Sequence, residues 1–119
     1  MKRIVLALAT AALVAVAAAA QQLNMNEVKT FAGSIDNLAR TRGAAPLWTY
    51  AKITVVSDTG EKLDCFLMSS TVFIDADGTR HEAGQPDRTK RIEIRYVKIS
   101  GGSSALDGQN AAVSLHYLN

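Results

Sequence analysis

From Trp48 onward, apolar and polar side chains alternate at a period of two, broken at short intervals by Asp, Gly and Ser. A period of two places successive side chains on opposite faces of an extended backbone, as a strand with one buried face requires. Residues 48–56 (WTYAKITVV) are dense in β-branched and aromatic types, with Ala51, Ile53 and Val55 on one parity. Ser57-Asp58-Thr59-Gly60 supplies turn chemistry and the alternation resumes from Lys62 to Met68, so the two runs predict a hairpin. Thr71 to Ile74 is a short extended run, closed by a second turn at Asp75-Ala76-Asp77-Gly78. Residues 79–90 are polar and include Gly84, Pro86 and Asp87, the composition of a loop. Arg91 to Ser100 alternates at Ile92 and Ile94, then changes parity at Val97 and Ile99, which predicts a β-bulge near Tyr96. Gly101 to Gln109 reads as a flexible loop. Asn110 to Leu118 reads as a final strand, with Ala111, Val113, Leu115 and Tyr117 on one face.

Two readings compete for Asn26 to Arg42. Val28, Phe31, Ile35 and Leu38 follow helical spacing, with Asn26 as a cap and Gly43 as a stop, and periodicity favours this helix. Phe31, Gly33 and Ile35 also alternate as a strand, with Gly33 suited to a bulge or sharp bend. We read a strand, because no other segment is helical and because of the resemblance set out below. Short strands separated by turns, with no helix between them, predict an all-β, antiparallel sandwich or barrel. Closure into a barrel would also remove exposed sheet edges.

Residues 1–20 follow a different logic. Lys2 and Arg3 precede an apolar run from Ile4 to Val16, and Ala17 to Ala20 supply small side chains for cleavage just before Gln21. That order reads as a secretory signal peptide. The apolar run falls short of the ~20 residues a spanning helix needs. No Cys follows it, so no lipid anchor is expected. The expected mature product is one domain, residues 21–119, periplasmic or secreted. The whole chain has 13 basic and 11 acidic side chains, but two of the basic ones are Lys2 and Arg3. The mature balance is therefore even, and no global field remains to attract nucleic acid or an anionic membrane. Cys65 is the single cysteine, so no intramolecular disulfide is available. Its parity with Leu63 and Leu67 predicts a buried, apolar role.

The strands and turns resemble those of small exported bacterial proteins with an OB-like barrel, known as domains of unknown function. The resemblance rests on Phe31-Ala32-Gly33-Ser34-Ile35, Ile53-Thr54-Val55, Gly60, Thr71-Val72-Phe73-Ile74, Asp77-Gly78, Ile92-Glu93-Ile94-Arg95-Tyr96 and Asn110-Ala111-Ala112-Val113. Two departures stand out: Thr89-Lys90-Arg91 replaces a Gly-containing tight turn before the fourth strand, and the stretch from Arg40 to Leu47 is long. What the resemblance implies is an OB-like, five-stranded fold, and a fold does not specify a function.

Several constellations can be weighed for chemistry. Asp58-Thr59-Gly60 looks like the triplet of aspartic proteases, but Glu61 and Lys62 follow where that family has small or apolar residues, so a hairpin turn is the better reading. Asp75, Asp77 and Glu82 lack the spacing of a calcium loop. His81, His116, Met68 and Cys65, with Trp48, are the candidate ligands of a soft metal such as copper(I). Arg88, Lys90, Arg91, Arg95 and Lys98 form the one basic concentration, and Arg91, Arg95 and Tyr96 are the candidate anion-binding or partner face. Alternation sets Lys98 on the opposite parity from Arg91 and Arg95. No nucleophile–base pair can be assembled.

The expected function is a non-catalytic binding module for an unknown protein or small-molecule partner, using the loops 82–91 and 101–109, without a cofactor, nucleic acid or membrane anchor. A small copper carrier is the runner-up and a hydrolytic enzyme the third reading.

Overall fold

Alternation along the chain is realised as eight strands in a computed structural model that describes residues 22–43, 47–100 and 106–119. The strands are β1 (Gln22–Leu23), β2 (Lys29–Arg40), β3 (Thr49–Val56), β4 (Lys62–Met68), β5 (Val72–Ile74), β6 (Arg80–His81), β7 (Arg91–Ser100) and β8 (Asn110–Tyr117). No helix occurs among the described residues. The expected leader lies outside them, as does the segment 101–105.

Five strands pair into a closed ring. β2 pairs antiparallel with β3 and, on its other side, with β7. β3 pairs antiparallel with β4, and β7 with β8. One parallel seam between β4 and β8, through Phe66 and Ala111, completes the circuit. β5 extends the sheet parallel to the far half of β8, β6 pairs with β5, and β1 pairs with the end of β7.

The ring turns its tightest corner in β2. Residues 29–34 pair with β7 and residues 34–40 with β3, and a register shift between Ile35 and Asn37 leaves Asp36 as an extra residue. Gly33 occupies this corner for a steric reason: a Cβ there would run into the Val56 carbonyl oxygen. The strand reading of residues 26–42 therefore holds over Lys29–Arg40 and the helical alternative does not, while the bulge expected at Gly33 falls at Asp36 and Gly33 serves the close approach to Val56.

Ala51, Ile53 and Val55 of β3, Leu63, Cys65 and Leu67 of β4, and Ile92 and Ile94 of β7 face the ring interior with Leu115 and Tyr117 of β8. Burying each large aliphatic side chain contributes about 1.5–3 kcal/mol. A second cluster of Leu47, Met68, Ile99 and Ala111 fills one end. Thr71 stitches the neighbouring strands from within: its buried hydroxyl donates to the Ala112 carbonyl at 2.7 Å and accepts the Met68 N–H at 2.9 Å.

The structure adjusts four expectations. The irregularity near Tyr96 is present, as a register shift between Arg95 and Tyr96, but the residue left over is Val113 on the partner strand. Val113 is accordingly only half-buried, while Ala112 and Ser114 are buried. Lys98, expected opposite Arg95, is exposed as Arg95 is, because the parity of β7 changes at this shift. Within the polar stretch 79–90, Arg80 and His81 pair with β5 as the short β6. Trp48 precedes β3 rather than opening it. Its φ of 45° is left-handed, and its carbonyl accepts the Ser69 N–H at 3.1 Å.

Candidate functional site

The connection from β6 to β7 is fastened across one side of the ring by two tyrosines from distant strands and by its own Arg88. Tyr50 lies on the outward parity of β3 and is the residue left without a partner at a register shift between Thr49 and Ala51. Its hydroxyl donates to the Gly84 carbonyl at 2.7 Å. Tyr117, near the end of β8, accepts the Asp87 N–H at 2.8 Å. Arg88 Nη2 donates to the Asp36 carbonyl at 3.2 Å, reaching the bulge of β2. Pro86 is buried beneath the loop, and Ala83 packs against the core. The Lys90 ammonium lies 5.4 Å from the Tyr117 ring centroid, and Phe73 meets the same ring edge-on at 6.4 Å.

Burial pushes the Tyr50 phenol up to about 12, with Tyr117 nearby adding to the shift. Burial also raises Tyr117. Both hydroxyls therefore stay protonated across the physiological range and serve as neutral hydrogen-bonding groups.

Between this loop and the β2–β3 hairpin lies a cleft of about 420 Å³, lined by Leu38, Arg40, Tyr50, Ala51, Gln85, Pro86 and Arg88. Its size falls within the ~300–1,000 Å³ range of small-molecule sites. The wall is mixed: apolar surface from Leu38, Ala51 and Pro86, an aromatic ring, an amide and two guanidinium groups. A more open depression of about 560 Å³ sits over β5 and β6, between Ser69, Thr71, Arg80, His81 and Glu82.

The soft-metal candidates are spread over the fold. Cys65 is fully buried in the ring interior, and burial drives its thiol pKa upward. Met68 belongs to the second apolar cluster. His81 is exposed on β6, with Nε2 2.6 Å from Asp75 Oδ2. His116 is half-buried on β8 opposite Glu93, and Trp48 is exposed. Among the described residues, no three His, Cys, Asp or Glu side chains group so as to hold a metal.

Both Asp-rich turns are closed by their own backbones. Gly60 N–H donates to the Ser57 carbonyl at 3.0 Å, and Gly78 N–H to the Asp75 carbonyl at 2.9 Å. The Asp58 carboxylate is exposed and engages Arg91 through both oxygens, at 2.7 and 3.1 Å. The Arg91 guanidinium beside it holds Asp58 below the ordinary carboxylate range. On the expected anion face, Arg91 is thus already paired, Arg95 points outward and Tyr96 is half-buried against the core.

Sequence reading singled out the loop 82–91 and its Arg88 but missed Leu38, Arg40 and Tyr50. One signal was available: Tyr50 is an aromatic on the opposite parity from Ala51, Ile53 and Val55. Compared with family models, curated proteins and solved structures, the chain matches none.

Proposed function

We propose that this protein is an exported, non-catalytic binding module that holds a small molecule in the cleft between the β2–β3 hairpin and the 82–90 loop. The observation that carries this reading is the clamp. Tyr50, Tyr117 and Arg88 fix a long polar loop against the ring while leaving apolar and cationic surface open beside it. A pre-formed concave site with a few placed polar groups is the usual form of a ligand pocket. The OB-like plan belongs to the same proposal. Its support is the five-membered ring, in which the last two long strands are exchanged so that β8 lies between β4 and β7. Export rests on the composition of residues 1–20.

Amide chemical-shift mapping of the full chain against a small-molecule library tests the site. Saturable shifts should gather at Leu38, Tyr50, Ala51, Gln85 and Arg88. Shifts gathered on the outer face of β7, or turnover of a library member, would remove the reading. N-terminal sequencing tests export: the recovered protein should begin at Gln21, and a cytosolic product retaining Met1 would count against it.

A further inference from the structure

We infer that the cleft takes a small organic carboxylate, its head group held by Arg40 and Arg88 and its apolar body laid against Leu38 and the Tyr50 ring. This rests on the binding-module reading above and names the ligand class of that site.

The charge at the cleft is one-sided. Arg40 and Arg88 line it, and no Asp or Glu does. Arg88 spends one nitrogen on a neutral carbonyl, that of Asp36, and Arg40 makes no ion pair or side-chain hydrogen bond among the described residues. Arg91 on the neighbouring strand shows the contrast, since Asp58 already satisfies its fork. Two guanidinium groups without a carboxylate partner, on the wall of one cavity, favour an anionic guest.

The remaining lining distinguishes among anions. Phosphate sites commonly draw on backbone N–H groups as well as side chains. Here the loop consumes several of its own: Asp87 N–H goes to Tyr117, Thr89 N–H to the Asp87 carboxylate and Lys90 N–H to the Asp87 carbonyl. The guanidinium forks are left as the principal donors, and their planar geometry matches the two oxygens of a carboxylate. The half-exposed Leu38 side chain and Tyr50 ring would face water around an inorganic ion but would be covered by a hydrocarbon body, with buried Ala51 and Pro86 behind them. Tyr50 adds a ring wall whose hydroxyl is occupied by Gly84, so its contribution to the guest is contact rather than charge.

Titration of the full chain with phenylacetate, phenylacetamide and inorganic phosphate, followed by amide shifts, decides the matter. Phenylacetate should saturate with shifts at Tyr50, Ala51 and Arg88. The amide should bind at least about tenfold more weakly, as expected when a charge-assisted hydrogen bond is lost, and phosphate should also bind more weakly because it has no hydrocarbon body to cover Leu38 and Tyr50. Arg40→Gln should weaken phenylacetate by about tenfold or more with an unchanged circular dichroism spectrum, because the Arg40 side chain has no hydrogen bond or ion pair to lose among the described residues. Arg88→Lys, which keeps the charge but not the fork, should also weaken it. Equal affinity for acid and amide would overturn the carboxylate inference while leaving the cleft as a binding site. Phosphate binding as tightly as the acid would overturn the choice of head group. If neither phenylacetate nor hexanoate perturbs the cleft, the inference falls, and the library experiment judges the wider reading separately.

Discussion

The hydroxyl of Tyr117 receives the backbone N–H of Asp87 across 2.8 Å, joining the last strand to a loop thirty residues earlier in the chain. Its ring also packs against Phe73 and beneath Lys90, so one side chain serves both the core and the clamp. Tyr117→Phe keeps the ring and orphans the Asp87 donor. It should cost about 1 kcal/mol in urea-induced unfolding. Tyr50→Phe should cost a similar amount and loosen the loop locally, read as faster amide exchange at residues 84–88. Unchanged exchange in both variants would show that the hydroxyls do not hold the loop.

Gly33 has no room for a side chain. The atom nearest a new Cβ is the Val56 carbonyl oxygen, which belongs to a paired strand and cannot swing aside. Gly33→Ala should therefore open the corner where β2 passes from β7 to β3, at a cost of about 3 kcal/mol. A denaturation midpoint equal to that of the wild type would disprove the close approach.

Thr71 is buried yet polar, and its hydroxyl answers two main-chain groups on different strands. Thr71→Val keeps the shape and leaves the Met68 N–H and Ala112 carbonyl without that partner. A loss of about 2–6 kcal/mol is expected, since each of the two buried groups left unsatisfied costs about 1–3 kcal/mol. Thr71→Ser should retain most of the stability. Equal unfolding curves for the two variants would assign the effect to packing instead.

Cys65 is enclosed by the ring, and desolvation disfavours its thiolate. A thiol reagent should label it only as the protein unfolds, so that labelling and loss of native circular dichroism share one denaturant midpoint. Rapid labelling of the native protein would contradict its burial.

Three turn carboxylates set the expected acid response. Asp58 is held low by Arg91, Asp77 by the backbone N–H of Thr79 and Asp87 by the hydroxyl of Thr89. A carboxylate depressed in the folded state stabilises it fully above the unfolded value near ~3.9 and loses that contribution as pH falls through the folded value. Thermal stability should hold from about pH 7 to about pH 5 and decline below about pH 4. Asp58→Asn should flatten that decline slightly, and salt should reduce the difference because the Arg91 pair is exposed to solvent. A decline that begins near neutral pH would point to other groups.

Local chemistry made much of the fold legible. The β3–β4 hairpin follows from alternation around Ser57 to Gly60, and the parity change from Ile94 to Val97 announces the irregularity in the β7–β8 pair. What could not be read was which distant strands meet. Val113 looks like an inward residue until β8 is set against β7, where the register shift makes it the surplus position. Tyr50 looks like an ordinary outward side chain until the loop from β6 to β7 brings the Gly84 carbonyl to its hydroxyl. The cleft was half visible for the same reason. Arg88 and its loop carry turn and charge signals, whereas Leu38 and Arg40 join them only through closure of the ring.

Because β8 borders β4, β5 and β7 at once, nothing synthesised before Asn110 can finish the circuit. A chain without β8 holds hairpins without a keystone and stays open. Closure is thereby deferred until β8 is in place, and cutting the chain before Asn110 should yield an unfolded product rather than a smaller stable one.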